Sequence, residues 1–362
     1  MQAKSINLAL QGGGAHGAFA WGVIDRLLDE HWLRIEGISG ASAGAMNGAA
    51  LKAGLALGRG KAGRMAAREN LDMLWSQVGQ MPDNRMIRWL QMALPMPARL
   101  GRWAEMFSPA AWLDQLTRVF SPYDYGPLYV NPLASVLRAL PHPDFACEAG
   151  PQLFISATNV RTGRIRIFTG SEATPEAVMA SACLPDLFRA IEITDPDTGV
   201  TDAYWDGGYT GNPALFPLYA PELPRDIVIV NINPLLRDIV PETPLDIANR
   251  VNEISFNSAL MSELRAVNFV KRLFAEDRLR NRPMKNVLVH MILDDKLMND
   301  LSARSKMLPG AGLLARMKAA GQAAADDFLS RHAGALNERD TVDLSSLFTV
   351  PGLVPLDVAA AE

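Results

Sequence analysis

The chain has 362 residues, 49% of them hydrophobic and 20% charged, with a formal net charge of −4. That composition belongs to a folded globular protein with a sizeable core, and it offers no global basic field for nucleic acid. Two cysteines, Cys147 and Cys183, are too few for a disulfide framework and point to a reducing compartment.

The N-terminus, Met1-Gln2-Ala3-Lys4-Ser5, lacks the charged-then-apolar layout of a secretory signal. No run reaches the roughly 18 apolar residues that a spanning helix needs. The expectation is a cytoplasmic protein that meets membranes, if at all, peripherally at their surface.

Ile6 to Leu10 is an apolar run stopped by Gln11-Gly12-Gly13-Gly14, which reads as a buried strand entering a turn. A helix is expected over 15–30, with Val23, Ile24, Leu27 and Leu28 on its apolar face and Asp25, Arg26 and Asp29 opposite. A second strand ends at Gly37-Ile38-Ser39, and the small-residue run over 43–57 reads as the next helix. This alternation predicts an α/β fold: a mostly parallel central sheet flanked by helices, with loop residues gathered at the strands' C-terminal edge. Residues 59–78 form one more expected helix.

Over 80–145 the character changes. Pro82, Pro95, Pro97, Pro109, Pro122 and Pro127 interrupt a stretch in which Trp89, Trp103 and Trp112 recur. Met86, Trp89, Leu90, Ala93 and Leu94 share a helical face, with Arg85, Arg88 and Gln91 on another. Such a segment either packs on the core as an ordinary helix or forms a helical insertion that lies on a bilayer or acts as a lid.

Strands resume at 153–157 and 164–168, around the turn Arg161-Thr162-Gly163. A helix over 174–182 has Thr174 as N-cap and Pro175 at its first position. Further strands are expected at 188–193, 204–205, 226–232 and 287–292, one or two amphipathic helices over 245–280, and a closing helix over 313–329. With no repeat or long linker, the reading is a single domain over 1–335 followed by an irregular tail over 336–362.

Three stretches carry candidate chemistry. The first, Gly40-Ala41-Ser42-Ala43-Gly44, is a G-x-S-x-G between a strand and a helix, the setting of a nucleophile elbow. Taken alone it reads equally well as a tight turn with an idle serine. The second, Gly12-Gly13-Gly14-Ala15-His16-Gly17, formally satisfies a dinucleotide fingerprint, with Glu36 at the distance of a ribose-binding acid. Glu36 precedes the end of the second strand, however, and the tip of that strand is the serine turn. Consecutive glycines can instead present backbone N–H groups to an oxyanion. A phosphate loop fares worse, because Gly60-Lys61 is followed by Ala62.

A nucleophilic serine needs a base. None of His16, His31, His142, His290 and His332 stands in the context of a triad histidine: His31 follows the first helix at the wrong edge of the sheet, and His290 reads as a core residue. The better candidate is the third stretch, Tyr204-Trp205-Asp206-Gly207-Gly208, where a strand ends in an aspartate that two glycines leave uncrowded.

Gly12-Gly13-Gly14-x-x-Gly17, Gly40-x-Ser42-x-Gly44 and Asp206-Gly207-Gly208, in that order within residues 6–212, resemble the patatin-like phospholipase family. Ser156-Ala157-Thr158-Asn159 and Ser181-Ala182-Cys183-Leu184-Pro185 are similar to its bacterial members. The resemblance implies a three-layer patatin-like fold and a Ser-Asp dyad, with Ser42 as nucleophile, Asp206 as base and Gly12, Gly13 and Gly14 as oxyanion hole. It implies a lipid ester as substrate. Many members carry Arg or Lys where this chain has His16, which makes His16 a candidate pH-dependent modulator. Neither a calcium loop nor a Cys/His ligand cluster is present in the sequence, so no metal or other cofactor is expected. Acyl transfer from the same acyl-enzyme, non-catalytic lipid binding and, more remotely, dinucleotide binding stay open, as do head group, chain length and oligomeric state.

Overall fold

The computed structural model describes residues 2–58, 60–80, 121–124, 129–237, 239–279, 284–301, 305–306 and 309–348. Among them are eight strands: β1 (Lys4–Leu10), β2 (Leu33–Gly40), β3 (Gln152–Asn159), β4 (Ile165–Thr169), β5 (Ile191–Thr194), β6 (Thr201–Asp206), β7 (Asp226–Val230) and β8 (Leu288–Ile292). The helices are α1 (Ala18–Leu27), α2 (Ala43–Ala56), α3 (Lys61–Gly79), α4 (Leu133–Arg138), α5 (Pro175–Ser181), α6 (Pro244–Ala275), α7 (Asp295–Asp300), α8 (Ala311–His332) and α9 (Leu344–Phe348).

The sheet runs β5-β6-β3-β2-β1-β7-β8, with β4 also paired to β3. β3, β2, β1, β7 and β8 are parallel, and β4, β5 and β6 add antiparallel pairings at one end. Side chains alternate along each central strand and so feed two cores. Leu8, Leu10, Ile38, Ile155 and Val228 pack with α1, α2, α3 and α8, while Ala9, Phe154, Ile227, Ile229 and Val289 pack with α6. This is the expected three-layer α/β arrangement, with both sheet faces covered because both faces of its central strands are apolar.

Local sequence sets the starts of two helices, the first of them as anticipated. Thr174 Oγ1 accepts from Ala177 N at 3.3 Å and opens α5. Thr243 Oγ1 accepts from Asp246 N at 3.2 Å and opens α6, which is one continuous helix. Residues 81–120, the heart of the stretch read as an insertion or lid, lie outside the described residues, as do 349–362 of the tail. The described part of the tail is less irregular than expected. It contains α9, whose Leu344 is buried in the α6 core, and a five-residue helix is too short to announce itself by periodicity.

The pairing along β3 matters most for function. Ala157 and Thr158 pair with both β4 and β6, and Phe154 and Ile155 pair with both β4 and β2. β2 and β6 therefore lie on the same edge of β3 and approach each other head-on. β2 ends at Gly40 opposite Ile155, and β6 ends at Asp206 opposite Ala157. Only Ser156 intervenes, a separation of about 7 Å along the strand.

Candidate active site

Between β2 and α2 the chain must reverse within two residues, Ala41 and Ser42. Ser42 does so at φ 53° and ψ −125°, a backbone conformation that costs a non-glycine residue energy and occurs where the surroundings enforce it. The glycines on either side are required sterically. A Cβ on Gly40 would lie 2.6 Å from Gly44 O, and one on Gly44 would lie 2.0 Å from Leu10 O. Behind the serine, α2 is buried from Ala43 through Gly54, which explains its run of alanines and glycines. Ser42 caps the N-terminus of this helix, where the partial positive charge favours a developing anion.

The glycine turn after β1 packs directly on that elbow: a Cβ on Gly12 would stand 2.5 Å from Ser42 Cβ. Gly14 has φ +58° and its Cβ would meet Lys306 O at 2.4 Å, while Gly17 lets the turn close on Ala43. Buried amides hold the turn. Gly12 N donates to Asn212 Oδ1 at 2.6 Å, and Gly12 O accepts from Asn212 Nδ2 at 3.2 Å and from Asn233 Nδ2 at 2.8 Å. Gln11 Oε1 accepts from the Ile232 and Asn233 amides at 2.9 and 3.0 Å. The three glycines are thus not equivalent. The Gly12 N–H is committed to Asn212, whereas those of Gly13 and Gly14 have no acceptor among the described residues.

Asp206 is fully buried at the end of β6. Its Oδ1 accepts from Gly208 N at 2.7 Å, and its Oδ2 has no hydrogen-bond partner among the described residues. Gly207 and Gly208 make room for it, since a Cβ on Gly207 would lie 2.0 Å from Ser156 O and one on Gly208 3.0 Å from Asp206 Oδ1. Burial pushes the Asp206 carboxyl up to about 7, and only partly do the Gly208 amide and the Ser42 hydroxyl beside it draw the value back. A carboxylate in this state is a far better base than an exposed aspartate.

Four supporting residues carry no catalytic motif. Ser181 Oγ accepts from Ser42 N at 2.9 Å, and Ser156 Oγ donates to Gly211 O at 2.9 Å and Gly40 O at 3.3 Å, tying the end of β2 to the loop that follows Asp206. Asn212 and Asn233 fix the glycine turn. Their partners lie far away in sequence, so no local spacing reveals them.

The remaining candidates fall elsewhere. His290 Nε2 meets Asp226 Oδ1 at 3.0 Å in a fully buried pair, but Asp226 begins β7, about 13 Å along that strand from the catalytic edge. Glu36 lines a separate cavity with Ser5, Gln152, Asp226 and Asn337, which removes the acid a dinucleotide site would use. His16 is buried with Nε2 2.7 Å from Ser305 Oγ, and burial, followed by the nearby Lys306 charge, pushes its pKa down to about 3. At that value it is a neutral group near physiological pH.

Ser42, Gly13 and Gly14 open onto a cavity of about 550 Å³. Its lining is mixed: Met46, Trp75, Val78, Leu133, Leu187 and Phe188 are apolar, and Asn233, Asn249, Asn252, Glu253 and Lys306 are polar or charged. Such a cavity can hold an amphiphile with its ester near the serine.

Comparison with curated proteins finds no match. The structure of VipD from Legionella pneumophila aligns over 92% of this chain and 67% of its own, at 15% identity and a TM-score of 0.38. The profile of the patatin-like phospholipases matches residues 8–219, a span that begins within β1 and takes in the glycine turn, the serine elbow and Asp206. The chain belongs to the patatin-like phospholipase family, whose membership implies lipid acyl hydrolase activity.

Proposed function

We propose that this protein is a serine acyl hydrolase of lipid esters, with Ser42 as nucleophile and Asp206 as general base. The observation that carries the reading is the buried Asp206 Oδ2, without a hydrogen-bond partner among the described residues, beside a serine held at φ 53° on the wall of a cavity with both apolar and polar lining. Asp206 takes the Ser42 proton as Oγ attacks the ester carbonyl. The tetrahedral oxyanion is held by the Gly13 and Gly14 amides, fixed dipoles that need no reorganisation. Gly12 keeps the turn in place through Asn212. Collapse expels the alcohol, which receives the proton from Asp206, and leaves an acyl-Ser42. Water then attacks that ester with Asp206 again as base, releasing fatty acid.

The test is covalent labelling by a fluorophosphonate probe, together with a fatty-acid release panel over phospholipids, lysophospholipids, glycerides and short p-nitrophenyl esters. Labelling at Ser42 with release from at least one ester class is expected; a folded protein that neither labels nor releases acid would reduce it to a lipid-binding protein. Gly12→Ala is expected to slow labelling on the order of 100-fold, the scale of an ångström's misplacement of a reacting group, because the new methyl must displace Ser42.

Contact with a lipid surface is part of this reading. α6 lines the cavity with Ala248, Asn249, Asn252 and Phe256, and turns Ile247, Val251 and Ile254 outward at helical spacing. The preceding loop exposes Leu236, together with Ile239 and Val240 at 82% and 81%. A run of exposed aliphatic side chains this long is unusual on a surface that stays in water. Among the described residues no helix is long and apolar enough to cross a membrane. The double variant Ile239→Asp, Val251→Asp should lower the ratio of activity on vesicles to activity on a dispersed short-chain ester by about tenfold, the effect of ~1.4 kcal/mol of lost surface binding. An unchanged ratio would remove this surface from the mechanism.

A further inference from the structure

The polar lining of the cavity holds more charge than ester cleavage requires. Glu253, whose side chain is fully buried, is met by Arg237 at 2.6 Å, Lys306 at 2.9 Å and Arg250 at 3.3 Å. Asn249 Nδ2 donates to the same carboxylate at 2.8 Å. Burial alone would push the Glu253 carboxyl up, but the Arg237 and Lys306 contacts outweigh it and hold the value at about 2, so the acid stays ionised.

The cations are not alike. Arg237 also donates to Met298 O and Asn299 O at 3.2 Å each, and Arg250 to Pro234 O and Leu235 O at 3.3 and 3.4 Å. These two arginines cross-brace the loops around the cavity. Lys306 has, besides Glu253, only a long contact of 3.4 Å to Asn233 Oδ1 among the described residues, and it lines the cavity that contains Ser42.

Three basic groups therefore share one carboxylate in a largely buried wall. Burial, with the two arginines, lowers the Lys306 pKa although Glu253 acts to raise it, so its ammonium gains from a further anion. Among the described residues no second carboxylate lies within ion-pair distance of Arg237, Arg250 or Lys306; Asp186, the other acid on the cavity wall, pairs with none of them. His16, neutral and adjacent, brings no compensating charge. Excess charge removed from water is unfavourable until a counter-charge joins it. Position adds to the argument: the Lys306 carbonyl packs against Gly14, so an anion at its ammonium would share one cavity with the acyl carbon under attack.

We propose that Lys306, with the flanking Asn249 and Asn252 amides, is an anion subsite that recognises a phosphate-type oxyanion and makes Lys306 the residue that sets head-group preference. The proposal rests on the reading that Ser42 attacks a lipid ester in this cavity. The oxyanion belongs either to the substrate's own head group or to free phosphate occupying the same place.

Binding can be measured without turnover by using decyl ether analogues below their micelle concentration: decylglycerol phosphate against decylglycerol, on wild type, Lys306→Met and Lys306→Arg. Wild type should bind the phosphate-bearing ether about tenfold more tightly or better. Lys306→Met should bring the ratio near unity, and Lys306→Arg should retain most of it. A ratio compares two ligands on one protein, so general damage to a variant cancels. Inorganic phosphate should displace the phosphate-bearing ether and spare the neutral one, whereas displacement of both alike overturns the subsite. Equal affinities in wild type, or a preference that survives Lys306→Met, would also overturn it. Preference without hydrolysis of the matching esters would sink the hydrolase reading and leave the anion subsite standing. Where hydrolysis occurs, a lower KM for the phosphate-bearing ester assigns the site to the head group, and equal KM values with phosphate binding assign it to free phosphate.

Discussion

Ser42→Ala is expected to lower ester hydrolysis by a factor on the order of 10⁴ or more while leaving the fold intact. The nucleophile is lost outright, and no neighbour can replace it. Ser181 Oγ faces the Ser42 backbone amide, and Ser156 Oγ is engaged between the end of β2 and the loop that follows Asp206. The methyl group retains the volume of the Cβ against which Gly12 packs, and Ser42 makes no side-chain cap to α2, so stability should change little. Alanine can even be accommodated at φ 53°, because the elbow is enforced by α2 and the flanking glycines rather than by the hydroxyl. The measurement is fatty-acid release, with circular dichroism and a melting curve on the same preparation. Turnover within tenfold of wild type would refute Ser42 as nucleophile.

Asp206→Asn should cost a factor on the order of 10² to 10⁴ in kcat, the usual range for a positioned general base. The amide keeps the shape and can still accept from Gly208 N, but it cannot take a proton. In the wild-type protein the base works only when ionised. With its pKa raised to about 7, kcat/KM should climb as pH rises through 7 and level off above, and the residual activity of Asp206→Asn should lack that inflection.

The same shift has an opposite consequence for stability. Between about pH 4, where an unfolded aspartate ionises, and pH 7, the folded state retains a proton that the unfolded state has released. Raising the pH through this window therefore erodes stability, and above it the full cost of a buried unpaired carboxylate remains. Asp206→Asn should melt at a higher temperature than wild type at pH 8, by a few degrees, with the advantage vanishing near pH 4. A variant that is more stable and inactive would mark Asp206 as a residue retained for chemistry. A loss of Tm at pH 8 would contradict the raised pKa.

Much of this architecture could be read along the chain. β1, the glycine turn, α1, β2 and the elbow are contiguous, and each announces itself by apolar runs and glycines whose steric reason is local. Thr174-Pro175 and Thr243-Pro244 mark helix starts for the same reason, since a cap and its recipient amide lie three residues apart. The Ser42 and Asp206 assignments were reachable because motif residues keep their order in the chain, although their partnership is not a property of spacing.

Tertiary structure alone decided the rest. That β2 and β6 meet end to end on one edge of β3 depends on strand register, which involves chain segments more than 100 residues apart. It brings the Asp-Gly-Gly turn up to the serine elbow, a placement that local sequence leaves open. The commitment of the Gly12 amide to Asn212, the neutral state of His16 and the gathering of three cations on Glu253 have the same origin. Hydrogen bonds and burial act through a few ångströms of space, and residue types by themselves do not encode how much water is left around them. The sequence by itself determined a glycine-framed serine at a strand-helix turn and an aspartate able to serve it. The fold determined which amides are free, which carboxylate is stripped of water, and where the cavity keeps its unused positive charge.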